Sequence, residues 1–301
     1  MAVFQNDLSQ IVHGLEVGDS DTVWVACLVS GPCQHIGQMM LAQGWRVTGL
    51  RRAPASLPEG FERLAADLTS SDCPAGWPER VDYLVYCPAA GRRDPDLYRA
   101  LYVDGLQRVV GWLKERKQKP RYLLQVSSTA VYGQTDGEWV SENSPALADS
   151  ATAPLLIEAE DIALRSGIPA SVVRLGGIYG PGRTRLIEQV RDGLHVPQEP
   201  VQYTNRIHRD DAAGLLAHLL LQADQGEWLA PCYLGVDDEP APLYDVACWL
   251  AEQLGVTLQG EGKTANRVGS KRCSNALARE SGWQLRYPSY RQGYASILSE
   301  Q

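Results

Sequence analysis

The sequence predicts an α/β protein, a doubly wound parallel sheet with a smaller mixed α/β C-terminal lobe. Three observations predict it. Across the first half, short β-branched or apolar runs alternate with helical patterns, as βαβ units of a parallel sheet require. After Gly182 that rhythm breaks. The chain has 301 residues, 44% hydrophobic and 21% charged. That is ordinary for a globular protein and long enough for a large α/β domain plus a second lobe.

The elements follow in order. Residues 22–26 read as a buried strand, 34–43 as a helix that Gly44 ends, and 46–50 as a second strand. Residues 61–66 form a short third strand running into Asp67, and 81–86 a fourth. Residues 97–116 are helical, with Leu101, Gly105, Val109 and Trp112 on one face. A fifth strand over 121–126, a helix over 155–166 and a sixth strand over 170–174 complete the alternation. Beyond it, 184–193 and 211–222 read as helices, 232–236 as a strand and 244–254 as an amphipathic helix. Residues 259–270 read as a loop and 274–281 as a further helix. A parallel sheet of this kind takes its ligand outside the carboxyl ends of its strands, near the switch in strand order.

Composition excludes several classes. The formal net charge is −8 and the longest basic clusters are pairs such as Arg51-Arg52 and Arg92-Arg93. Nucleic-acid binding, which needs clustered cations, is therefore not expected. No apolar run approaches the ~20 residues of a membrane span. Residues 1–20 are polar and mixed rather than a basic segment leading into an apolar one, so a cytoplasmic rather than a secreted protein is expected. The seven cysteines are widely spaced, odd in number and without a CxxC pair. They read as small buried thiols, with neither disulfides nor a metal site.

Three segments carry a family likeness: VSSTAVYG over 126–133, RLGGIYGPGR over 174–183, and NRIHRDD over 205–211. Their sequence and order resemble the extended and atypical short-chain dehydrogenase/reductases, the NAD-dependent epimerase/dehydratase family, over nearly the whole chain from Thr22. The resemblance implies a Rossmann domain over 22–183, to which 212–236 returns, a substrate lobe over most of 184–301, and an extension over 1–21. It implies a nicotinamide dinucleotide, a small sugar-like or nucleotide-linked substrate, and a homodimer. It further implies that Ser128 polarises a substrate oxygen, with Tyr132 and Asp104 as further catalytic candidates. Of these, Tyr132 also reads as packed core and Asp104 as a solvated helix residue. Thr129, Trp139, Tyr179, Arg183, Arg206 and His208 become candidate substrate contacts, the arginines because their planar fork matches carboxylate or phosphate. His208 reads equally as an anchor for the following helix.

The implied cofactor set is Ser30, Gly31 and Cys33 in the phosphate loop, Arg51 and Arg52 after the second strand, and Asp67 and Leu68 after the third. Pro88 and Ala89 follow the fourth strand, Ser127 ends the fifth, and Leu175, Gly176 and Gly177 end the sixth. Arginines after the second strand accommodate a 2′-phosphate, which favours NADP, with NAD as the alternative.

The sequence departs from the family twice. In the phosphate loop, counting back from Gly44 puts the glycine places at Leu28, Ser30 and Cys33, and only Gly31 comes close. The helix after the serine motif carries neither tyrosine nor lysine, because none occurs between Asp136 and Arg165. The family's Tyr-x-x-x-Lys acid/base pair is thus missing. Three readings follow: an oxidoreductase, epimerase or dehydratase that works without that pair, a catalytically degenerate dinucleotide-binding sensor or scaffold, or, from the poor glycine loop, a fold with neither cofactor nor catalysis.

Overall fold

The computed structural model describes residues 24–28, 33–70, 72–258 and 269–300, leaving out the side chains of 24–28 and 33. In chain order the strands and helices are β1 Trp24–Leu28, α1 Cys33–Ala42, β2 Arg46–Arg51, β3 Glu62–Ala65, β4 Tyr83–Tyr86, α2 Pro95–Tyr98, α3 Gly105–Glu115 and β5 Tyr122–Ser128. Next come β6 Glu138–Val140, α4 Ala153–Leu164, β7 Ala170–Leu175, β8 Gly177–Tyr179, α5 Arg185–Arg191, β9 Tyr203–Thr204, β10 Arg206–His208 and α6 Arg209–Asp224. The last are β11 Cys232–Gly235, β12 Ala241–Pro242, α7 Leu243–Leu254, β13 Lys271–Cys273, α8 Ala276–Glu280 and α9 Tyr290–Ser299.

A seven-stranded sheet runs in the order β3-β2-β1-β4-β5-β7-β11. From β3 to β5 every neighbouring pair is parallel, with Trp24 opposite Arg46, Val25 opposite Tyr83, and Tyr83 opposite Tyr122. The strand order reverses between β1 and β4, which is the doubly wound pattern with its switch point at that crevice. All four residues of β4 are buried, as a strand covered on both faces demands.

The chain divides into two compact units. The first holds the described residues up to Ser127 with Leu155–Val172 and Ala213–Pro231. The second holds Ser128–Pro154, Val173–Ala212 and the described residues from Cys232 onward. The sequence pattern put residues 128–154 and 173–183 in the dinucleotide domain. In the division into two units they fall in the second, which also holds the strand pairs β6 with β13 and β8 with β10, while β7 remains a strand of the seven-stranded sheet.

The first unit's core joins Leu50, Leu64, Leu84, Tyr86, Leu106, Val109, Trp112 and Leu123. The helix expected over 97–116 is interrupted there. Asp94 caps α2 by accepting the Leu97 N–H, Pro95 sits at the first helical position, and a π-helical turn, Arg99–Asp104, precedes α3. The cause is Tyr86, whose hydroxyl donates to the Leu101 carbonyl and is met by Gly105, where a Cβ would lie 2.5 Å from that oxygen. A side chain inserted into the ladder explains the extra residue in the turn.

The second unit has its own core of Ile187, Val190, Leu194, Leu243, Val246, Leu250, Tyr290 and Ile297. Its last helix, α9, was not anticipated from the sequence, and a capping box formed by Ser289 and Gln292 starts it. The cysteine reading needs correction. Cys73, Cys232, Cys248 and Cys273 form no disulfide, but Cys87, directly after β4, is disulfide-bonded.

Candidate functional site

In the first unit, the loops leaving the carboxyl ends of the strands are fixed from one side. Arg108 of α3 donates to the Leu68 carbonyl at 2.7 Å, and Tyr102 donates to the Pro88 carbonyl at 3.1 Å. These two bonds hold the segments after β3 and β4, where Asp67, Leu68, Pro88 and Ala89 were expected. Asp67 accepts the backbone N–H and the hydroxyl of Thr69, at 2.9 and 2.8 Å. Those bonds, aided by the charges of Arg52 and Arg108, hold its carboxyl below the usual carboxylate range. At the end of β2, Arg51 is half-buried and Arg52 exposed.

Glycine packing repairs part of the phosphate-loop departure. A Cβ at Gly37, in α1, would fall on the edge of the Phe61 ring and lie 3.2 Å from Val47 Cγ1. Close helix-to-strand packing is the role of the third glycine in a dinucleotide-binding fingerprint. The sequence count missed Gly37 because it was anchored on Gly44. The six-residue step from Gly31 to Gly37 was the available signal. Ser30 and Gly31 lie outside the described residues, and of Cys33 only its place at the start of α1 is described.

The end of β5 carries the serines. Ser127, buried, donates to the buried Glu160 carboxylate at 2.5 Å. Its O–H is thus donated to α4. Ser128, half-buried, accepts the Ala130 N–H at 3.2 Å, and its own O–H remains available to donate. Thr129 is buried beside it.

Tyr132 is different. It is buried, its hydroxyl donates to the Ser141 carbonyl at 2.9 Å and accepts from Arg174 at 2.7 Å, and the guanidinium also lies over its ring. Burial pushes its pKa far above the ordinary phenol value. A phenol bonded in this way to a carbonyl and an arginine has the contacts of packed core, the other reading open for Tyr132. Asp104 ends the π-helical turn and is half-buried.

The remaining candidates belong to the second unit. Gly176 donates to the Gly235 carbonyl and Gly177 to the Asn205 carbonyl, both at 2.9 Å. A Cβ at Gly176 would lie 3.1 Å from the backbone of both Asn205 and Arg206, so the chain is pressed close there. Leu175 is buried. Tyr179, Arg206 and His208 are buried together, with the His208 ring against Tyr179 and Tyr287. His208 Nδ1 accepts the Asp210 N–H at 3.2 Å, which is the anchoring role. The ring contacts of Tyr179 and His208 with each other and with Tyr287 and Tyr294 lie within the second unit. Arg183 and Trp139 are exposed. Partial desolvation and the neighbouring Arg209 charge lower the Arg183 pKa. Arg272 packs over both Trp139 and Tyr203. Among the described residues no group of three His, Cys, Asp or Glu could hold a metal ion, and no helix is long and apolar enough to cross a membrane.

A Rossmann-type sheet with a serine motif at the end of β5 defines a protein of the short-chain dehydrogenase/reductase class. Comparison with known proteins makes this specific. The NAD dependent epimerase/dehydratase family matches over residues 34–227. A solved structure assigned to those enzymes, from Methylobacillus flagellatus, is 33% identical, with a TM-score of 0.76 over 93% of this chain and 99% of that one. The 3-diazoavenalumate denitrifying reductase of a Streptomyces species is 26% identical over 88% of this chain and 98% of its own length. The UDP-glucose 4-epimerase of Thermus thermophilus, solved with NAD, shares the fold at 18% identity, with a TM-score of 0.73 over 90% of this chain and 96% of that one. The chain belongs to the NAD dependent epimerase/dehydratase family.

Proposed function

We propose that this protein binds a nicotinamide dinucleotide, NADP in preference to NAD, and acts as a reductase on a small-molecule electrophile. The observation that carries this reading is the pairing of Ser128, with a free O–H to donate, and an α4 that holds neither tyrosine nor lysine. Oxidising an alcohol requires a base to take its proton, the task of the missing pair. Reduction of a polarised acceptor needs a hydride and a proton; a donor such as Ser128 can stabilise the charge that develops on hydride addition, and solvent water can then supply the proton. The curated reductase among the relatives supports the same direction.

The residues present fit the cofactor. Gly37 leaves the α1–β2 packing that the fingerprint needs, Arg51 and Arg52 stand where a 2′-phosphate is recognised, and Asp67 lies after β3. When bound, the dinucleotide supplies the hydride, and the protein supplies orientation and polarisation. Ser128 donates to the oxygen or nitrogen on which negative charge develops. Trp139 and Arg183 are assigned to substrate contact, and Arg183 suits an anionic substituent.

A second reading, a dinucleotide-responsive sensor, draws on the same missing pair. Thermal shift and calorimetry with NADPH and NADH test the cofactor assignment. NADPH is expected to raise the melting temperature more than NADH, and the double variant Arg51→Ala, Arg52→Ala to erase the difference. A preference that survives the double variant refutes the NADP assignment. Binding of either nucleotide without NADPH consumption across a panel of electrophiles favours the sensor.

A further inference from the structure

The second unit buries a cluster of polar atoms that its described residues leave without partners. Arg206, at the start of β10, is 5% exposed. Its Nη2 donates to Thr204 Oγ1, while Nη1 has no partner. Asp237, after β11, is 1% exposed; its N–H donates to the Arg206 carbonyl at 2.7 Å and its Oδ1 accepts the Glu239 N–H at 3.3 Å, but Oδ2 has no partner. The hydroxyls of Tyr179, 4% exposed, and Tyr290, 1% exposed, have none either.

These four groups are neighbours. The Arg206 guanidinium carbon lies 5.3 Å from the Tyr290 ring centre. Arg206 is the largest charge influence on the Asp237 carboxyl, and both Arg206 and Asp237 act on Tyr179. The Tyr179 hydroxyl is pressed against α9 at Gly293, where a Cβ would lie 2.6 Å from Cζ.

Buried polar atoms are rarely left unsatisfied, and each costs on the order of 1–3 kcal/mol when they are. Here an N–H donor, a carboxyl oxygen and two hydroxyls of linked residues are all buried and form no hydrogen bond with one another. The occupant that fits must be small and must both donate and accept. We propose that water is a structural ligand of this unit, held in a closed site by Arg206 Nη1, Asp237 Oδ2 and the hydroxyls of Tyr179 and Tyr290. The site ties β8, β10, the segment after β11 and α9 into one body. It thereby fixes the Tyr179 ring that His208 meets edge to face. Buried waters of this kind make two to four hydrogen bonds and exchange slowly.

A crystal structure of the full chain at a resolution that shows ordered solvent tests this directly. The expected result is a water within about 3.2 Å of both Arg206 Nη1 and Asp237 Oδ2. A direct Arg206–Asp237 ion pair, or no density between them, overturns the proposal. Oxygen-17 magnetic relaxation dispersion in labelled water gives an independent count of long-lived internal waters. Asp237→Leu is expected to lower that count by at least one, and an unchanged count overturns the proposal. Where Asp237→Leu does not fold, Tyr290→Phe removes a single hydroxyl partner. The same dispersion should then show faster exchange, and an unaltered profile counts against the site.

Discussion

Replacing Asp237 by Asn separates the charge of that carboxyl from its shape. Burial, only partly offset by Arg206, pushes the Asp237 pKa up to about 8. The unfolded chain holds the same group near the ordinary value of 3.8. Folding therefore requires a proton that the unfolded state releases across the whole interval. Stability from this group is fully present below the unfolded value and is lost as pH rises through the folded one. Each pH unit in that window costs about 1.4 kcal/mol. From pH 6 to 9 the wild-type protein should lose roughly 3 kcal/mol that Asp237→Asn does not lose, and above that the two should change in parallel. Asp211, raised by burial to about 6, adds a similar slope at lower pH, but it is common to both proteins. The assay is urea denaturation of wild type and variant at pH 6, 7, 8 and 9. For a chain of this size, roughly 3 kcal/mol also corresponds to a melting shift on the order of 6–12 °C. Parallel stability curves across that range would refute the reasoning, because they would mean that Asp237 is ionised in the folded state at pH 6.

Three further outcomes are expected. Ser128→Ala should lower kcat/KM about 100-fold or more on any substrate the wild type reduces, with NADPH affinity within about two-fold, measured by steady-state kinetics and calorimetry; unchanged turnover removes Ser128 from the mechanism. Gly293→Ala should destabilise the protein by about 2–3 kcal/mol, because its Cβ would lie 2.6 Å from Tyr179 Cζ and 2.8 Å from Cε2. Denaturant midpoints within error of wild type would show that α9 can move away from Tyr179. Gly37→Ala should weaken dinucleotide binding and lower the melting temperature together, since its Cβ would strike the Phe61 ring; a thermal shift with NADPH equal to that of wild type would contradict the role assigned to Gly37.

The sequence determined what depends on local periodicity. The β-branched runs and helical patterns of the first half marked out β1 to β5, β7 and most helices within a few residues. The three motifs placed Ser128 at the end of β5 and Gly176–Gly177 after β7, because strand ends and serine or glycine tracts are contiguous in sequence. Short strands escaped it. β6, β8, β9, β10, β12 and β13 have two or three residues each and exist only through partners far along the chain. The π-helical turn escaped it as well, since Tyr86 lies fifteen residues before the Leu101 carbonyl that its hydroxyl reaches.

What only the tertiary structure decided is which polar side chains face inward. Tyr132, Arg206 and His208 sit in motifs that promised substrate chemistry, and packing gave their hydroxyl, guanidinium and imidazole partners inside their own unit. A motif specifies residue type and position along the chain. The desolvation cost that fixes a side chain's direction depends on neighbours brought together by folding, and for the Asp237 carboxyl the chief neighbouring charge is Arg206, thirty-one residues earlier.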